Sequence, residues 1–155
     1  MTLVVLVGGA RSGKSLLAVE RAQAEGKPVT FVATGEAGDE EMAERIARHR
    51  AERPAGWTTI EEPLDLERAL ASVPAGDTVV IDCLSLWIAN GGAGTVPAPR
   101  AGLTIAVTNE VGLGIVPDNA LARSYRDELG RVNTEWVEAA DEAYFVVAGK
   151  TLSLA

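Results

Sequence analysis

Gly8-Gly9-Ala10-Arg11-Ser12-Gly13-Lys14-Ser15 follows the apolar run Leu3-Val4-Val5-Leu6-Val7 and leads into a stretch of helix formers that starts at Lys14. Strand, glycine-rich turn and helix in this order, with Gly8 and Gly13 framing four residues and Lys-Ser closing the loop, complete the phosphate-loop pattern. Each residue type has a physical reason. The glycines let the backbone wrap closely enough for its N–H groups to face the β- and γ-phosphates, Lys14 neutralises their charge, and Ser15 offers a hydroxyl to Mg²⁺. A chance glycine-rich turn holding Lys and Ser would leave both flanks unexplained.

Outward from that loop, the chain alternates. Leu3–Val7 is continuous and rich in β-branched residues, as in a strand buried on both faces of a parallel sheet. Helix is predicted from Lys14 to Glu25, with Leu16, Leu17, Ala18, Val19 and Ala22 available for an inner face and Gly26 as the stop. Val29–Ala33 reads as strand, Asp39–Glu52 as helix closed by Pro54, Trp57–Ile60 as a short edge strand, and Leu64–Ser72 as helix. Thr78–Ile81 and Leu103–Thr108 are buried strands. Asp118 is the expected N-cap of a long helix with apolar positions at Leu121, Tyr125, Leu129, Val132, Trp136 and Ala140. Tyr144–Ala148 is a further strand, with a short last one near Leu152. The alternation predicts one α/β domain over 1–155, a three-layer P-loop NTPase (RecA-like) fold with a mostly parallel central sheet and right-handed crossovers. Ala89–Gly102 resists: Gly91, Gly92, Gly94, Gly102, Pro97 and Pro99 predict an irregular loop. Trp57, Trp87 and Trp136 are read as packing residues.

Bulk properties narrow the classes of function. A chain of 155 residues, 47% hydrophobic and free of low-complexity tracts, is long enough for one core. A net charge of −8 argues against sequence-independent nucleic-acid binding, which rests on Lys and Arg, so an anionic ligand must be held locally. Cys83 is the single cysteine and the Met1 end lacks the order of a secretion signal, which together predict a reducing, cytoplasmic setting. No apolar run approaches the roughly 20 residues of a membrane span.

Two further residues are candidates from position alone. Asp82 ends the apolar strand Val79-Val80-Ile81, where an acid could hold the metal through water; its other reading is a cap on the following turn. His49, the only histidine, lies in Arg45-Ile46-Ala47-Arg48-His49-Arg50-Ala51-Glu52-Arg53, and on a continuous helix Arg45 and Arg53 would share its face. A neutral imidazole among guanidiniums suits attack on phosphorus. A solvated surface histidine fits the same spacing.

These stretches, together with Val32-Ala33-Thr34, Pro54, Trp57, Thr108-Asn109-Glu110-Val111-Gly112-Leu113-Gly114-Ile115-Val116-Pro117, Arg126-Asp127 and Gly130-Arg131-Val132-Asn133, resemble the bifunctional adenosylcobinamide kinase and adenosylcobinamide-phosphate guanylyltransferase family of cobalamin biosynthesis. The likeness covers most of the chain. It implies phosphorylation of the aminopropanol hydroxyl of adenosylcobinamide by a nucleoside triphosphate, ATP or GTP, and then transfer of GMP from GTP to the new phosphate. It implies a covalently guanylylated histidine, matching His49, and a homotrimer. It also implies nucleotide contacts at Gly8 to Ser15, at Ala33, Thr34 and Gly35, at Arg50, Ala51, Glu52 and Arg53, at Glu61, and at Asp82, where the family often has Glu. Glu110, directly after a buried strand, is a candidate site residue with turn capping as its other reading. The chain departs from the family between Trp87 and Leu103, where relatives carry a longer insertion with a helix. Two other readings keep the phosphate loop: a kinase of another small alcohol with His49 a bystander, and a nucleotide-dependent regulatory module.

Overall fold

The computed structural model describes residues 1–93 and 95–154, so Gly94 of the irregular loop and Ala155 fall outside it. β1, Thr2–Gly8, is flanked by two parallel neighbours, β5 (Leu103–Asn109) and β6 (Glu142–Val147). Beyond β5 lie β4 (Thr78–Asp82), β2 (Val29–Ala33) and the edge strand β3 (Thr58–Glu61), all parallel. On the other side β7 (Lys150–Ser153) returns antiparallel to β6, giving the order β3-β2-β4-β5-β1-β6-β7. Both faces of the inner strands are covered, which is why their sequences are apolar at successive positions. Val4 and Leu6 pack into one layer while Val5 and Val7 pack into the other.

α1 (Lys14–Ala24) lies on the first face and approaches the sheet through Ala18 and Ala22, both fully buried. Small side chains permit that close approach, and Leu16, expected on the inner face, is instead 63% exposed. The second face is covered by α3 (Leu66–Ala71), α4 (Leu84–Ala89) and α5 (Ala120–Ala139), through Leu66, Leu84, Trp87, Leu129, Val132 and Trp136. α5 begins one residue later than its sequence predicts. Asn119, not Asp118, is the N-cap, its Oδ1 accepting from the Ala122 N–H at 2.8 Å. The first turn stands clear of the sheet, so Leu121 is exposed. Trp87 and Trp136 are core residues, as expected, and Trp57 packs beside Phe31 at the sheet edge.

One element differs in kind from its expectation. α4 was not foreseen, because six residues give too little periodicity to separate a buried helix from an extended run. It occupies the start of the crossover, and the described part of 90–102 that follows has no helix or strand. That segment is nonetheless tied down: Arg100 donates to the carbonyls of Asp77 and Pro74 at 2.8 and 2.9 Å. Gly102 has a φ of 92°, and a Cβ there would stand 2.6 Å from the Asp77 carbonyl oxygen, so only glycine fits. α2 (Glu40–Glu52) is capped by Asp39, which accepts from Met42 N–H at 2.7 Å, yet none of its residues is buried. It touches the body through Ile46, beside Gly35.

Candidate active site

The loop from Gly8 to Gly13 leaves the end of β1 at the carboxyl edge of the sheet, where ligands of open α/β folds collect. Gly9 and Ala10 continue it, Arg11 has a φ of 56° and Gly13 one of 96°. A Cβ on Gly8 would lie 2.6 Å from the Val146 carbonyl oxygen and 2.7 Å from Ser12 Oγ, so the first glycine of the motif is required by space. Lys14 opens α1, is 9% exposed, and donates from Nζ to the Gly9 carbonyl at 2.9 Å. Burial lowers its pKa below the ordinary lysine value, with the charges of Asp82 and then Cys83 acting in the opposite sense.

Ser15 Oγ donates to Asp82 Oδ2 at 2.8 Å. β4 and α1 thereby place a hydroxyl and a carboxylate together, 67 residues apart in sequence. The capping alternative for Asp82 does not describe this arrangement: the carboxylate faces Ser15, and α4 is N-capped at Cys83 without a side-chain bond. Both donors are hard oxygens, the set Mg²⁺ prefers, and among the described residues no group of three His, Cys, Asp or Glu could hold a metal. Nucleotide phosphates would have to complete the coordination.

Other expected site residues fall into three groups. Ala33 ends β2 and Gly35 lies under Ile46 and Leu86, both near the same edge. Thr34, however, is spent inside the protein. Its Oγ1 donates to the Cys83 carbonyl at 2.7 Å and accepts from the Cys83 N–H at 2.8 Å, its N–H bonds the Asp82 carbonyl, and its own carbonyl accepts from Asn90. The residue is fully buried, and its hydroxyl is bonded on both sides within the protein.

The second group surrounds the end of α2. His49, Arg50, Ala51 and Glu52 are exposed there, and Arg50 pairs with Glu61 across to β3. Arg53 is the C-cap, where a ψ of 141° turns the following chain out of the helix, and its guanidinium lies over the Phe31 ring, 3.9 Å from the centroid, with Nη1 donating to Thr59 at 3.1 Å. Burial, and then Arg50, lower its pKa below the ordinary arginine value, while the charge of Asp82 acts in the opposite sense. Its Nε is buried and has no partner among the described residues.

Glu110 forms the third. Its N–H donates to the Gly8 carbonyl at 3.0 Å, tying the strand β5 to the loop, while its Oε1 accepts from Gly112 N–H at 2.5 Å. The carboxylate thus bonds the backbone of its own turn.

Sequence reasoning missed the support beneath the site. Ser85 Oγ lies 2.9 Å from Cys83 Sγ and accepts from Asn109 Nδ2, Tyr125 donates to the Ser85 carbonyl, and Asn133 bonds both Thr108 and the Asn109 carbonyl. These bonds tie the end of β5 and the β4–α4 junction to α5. Burial, and then Asp82, push the Cys83 thiol up to about 11, which keeps it protonated and unreactive. The signal available was polar residues, Thr108, Asn109 and Asn133, at positions where the pattern asked for apolar ones.

A parallel sheet whose central strand ends in this loop, with Lys14, Ser15 and Asp82 gathered at its mouth, defines a P-loop nucleotide-binding protein. The sequence profile described as cobinamide kinase / cobinamide phosphate guanyltransferase matches residues 4–95 and 93–154, and the chain belongs to that family. The two matched pieces meet within the irregular segment. The bifunctional adenosylcobalamin biosynthesis protein CobP of Pseudomonas aeruginosa is 41% identical, over 97% of this chain and 95% of that protein. The CobU proteins of Salmonella typhimurium and Escherichia coli, which carry the same bifunctional description, are each 35% identical over 95% of this chain and 96% of theirs. Among solved structures, one titled as an ATPase from the type III secretion system of pathogenic bacteria aligns with a TM-score of 0.45 and 10% identity. It covers 98% of this chain but 57% of that one, a likeness too loose to carry weight.

Proposed function

We propose that this chain phosphorylates the aminopropanol hydroxyl of adenosylcobinamide with a nucleoside triphosphate, and then transfers GMP from GTP to that phosphate to give adenosylcobinamide-GDP. Family membership supports the pair of reactions, and the observation that carries the chemistry is Ser15 against Asp82 beside the buried Lys14. Backbone N–H groups of residues 8–15 bind the phosphates, Lys14 offsets charge on the transferred group, and Ser15 and Asp82 would hold Mg²⁺. When bound, that ion supplies charge neutralisation between adjacent phosphates. The acceptor hydroxyl attacks the γ-phosphorus, the bond to the nucleoside diphosphate breaks, and the hydroxyl proton is released.

In the second reaction His49 is the nucleophile. A neutral imidazole nitrogen attacks the α-phosphorus of GTP, a P–N bond forms, and pyrophosphate leaves. A phosphate oxygen of adenosylcobinamide phosphate then attacks the same phosphorus, and the P–N bond breaks to free His49. The exposure of His49 on a helix with no buried residue leaves it accessible for both displacements. Arg50 and Arg53, the latter fixed on Phe31, supply positive charge near it. We take the assembly to be a homotrimer and the setting cytoplasmic, where Cys83 stays reduced.

Incubation with Mg²⁺ and α-labelled GTP, read by intact mass, tests this. An acid-labile GMP adduct is expected on the wild-type protein and none on His49→Ala. A folded wild-type protein that binds GTP and forms no adduct would rule out the histidine route.

A further inference from the structure

β6 and β7 are joined by Ala148 and Gly149, with φ values of 50° and 73°, the left-handed pair of a tight two-residue hairpin turn. Val147 and Lys150 close the ladder on either side, so the Gly149 N–H is not needed by the sheet. It donates instead to the Ser12 carbonyl at 2.7 Å. At the same place a Cβ on Gly13 would stand 3.2 Å from Gly149 Cα, and Gly8 abuts the Val146 carbonyl. The phosphate loop is therefore seated along the end of β6 and the tip of the hairpin.

We infer that Gly149 is a positioning residue for the phosphate cradle: its N–H holds the Ser12 carbonyl on the hairpin and so aims the Gly13 N–H at the bound phosphates. A planar trans peptide carries its carbonyl and its N–H on opposite sides. Fixing the Ser12 oxygen toward the hairpin directs the Gly13 N–H away from it, across the loop. Gly13 is free to rotate as few residues are, and without the tether the Ser12–Gly13 peptide could turn and present an oxygen to an anion. The Gly149 position asks for a left-handed backbone and an N–H rather than for space, since a Cβ there would meet nothing within 4 Å. Asparagine, which tolerates that conformation, should serve.

The inference rests on residues 8–15 being the nucleotide site, and the test separates the two. GTP and guanosine are titrated calorimetrically, with Mg²⁺, into wild type, Gly149→Asn, Gly149→Pro, Lys14→Ala, and a semisynthetic protein in which glycolate replaces Gly149 and deletes only the N–H. The ester protein is expected to melt like wild type and to lose about tenfold or more in GTP affinity, the effect of one hydrogen bond to a charged ligand. Its guanosine affinity should stay unchanged, since the change of N–H to ester oxygen acts only at the Ser12 carbonyl, and Gly149→Asn, which keeps the N–H, should keep most of the GTP affinity. A folded ester protein that binds GTP as wild type does, or that loses GTP and guanosine alike, overturns the inference. Should Gly149→Pro fail to fold, the ester protein decides. Lys14→Ala with undiminished GTP affinity would instead overturn the assignment of the loop itself.

Discussion

Thr34 ties the end of β2 to the start of α4. Its hydroxyl satisfies both the N–H and the carbonyl of Cys83, next to the carboxylate that meets Ser15. Thr34→Val keeps the shape and strands two buried backbone groups, so it should cost about 2–3 kcal/mol in denaturant unfolding. A variant as stable as the wild type would mean that water replaces the hydroxyl. Glu62 acts in a similar way just past β3: its Oε2 accepts from the N–H groups of Leu64 and Asp65, and Arg68 donates to Oε1. These backbone bonds, more than Arg68, hold its pKa below the ordinary glutamate value. A carboxyl whose folded pKa is depressed stabilises the protein above its unfolded pKa, and that stability fades as pH falls through the folded value. Glu62→Gln should therefore melt lower than wild type at pH ~7, with the gap closing below pH ~4, near the unperturbed glutamate pKa. A gap independent of pH would assign the effect to shape rather than charge. Cys83 needed the fold to be understood, since only burial against Asp82 explains why a thiol beside the site is inert.

Among the elements, α2 and α5 are opposites. α5 fixes Leu129, Val132 and Trp136 in the core, whereas α2 has a good cap and strong helix formers but no buried residue. Helix propensity without packing gives low local stability. Amide hydrogens of residues 43–52 should consequently exchange well before those of residues 129–137, as read by hydrogen exchange with mass spectrometry. Equal protection would mean that α2 is covered in solution. The sequence foresaw α2 from composition and its closing proline, and its register placed His49 correctly on the last turn. It also gave the end at Glu52, since the residue before Pro54 is pushed out of the helical region, but not that Arg53 lies over the Phe31 ring, a partner 22 residues away in sequence that no local pattern reveals.

For the whole molecule, Leu113, Ile115, Val116 and Leu121 stand in solvent around the turn that leads into α5, Ile115 being 97% exposed. Apolar side chains gathered so closely ask for cover, and a homotrimer would supply it. The mass in solution is expected to be three times the 16.2 kDa of one chain, and Ile115→Asp should lower it. A wild-type protein that runs as a monomer would remove the trimer from the proposal. The sequence alone determined the layered α/β class, the parallel sheet and the phosphate loop. Those follow from hydrophobic period, glycine placement and the chemistry of adjacent residues, which are local properties. It also marked Asp82 as a candidate, an acid at the end of a buried strand, with turn capping as the other reading. Tertiary structure decided that Asp82 faces Ser15, that Thr34 bonds the Cys83 backbone, that the Glu110 N–H meets the Gly8 carbonyl, and that the β6–β7 turn bonds the loop. Each of those is a contact between segments brought together only when strands distant in the chain pair side by side, and the order of that pairing is not written in any local window of residues.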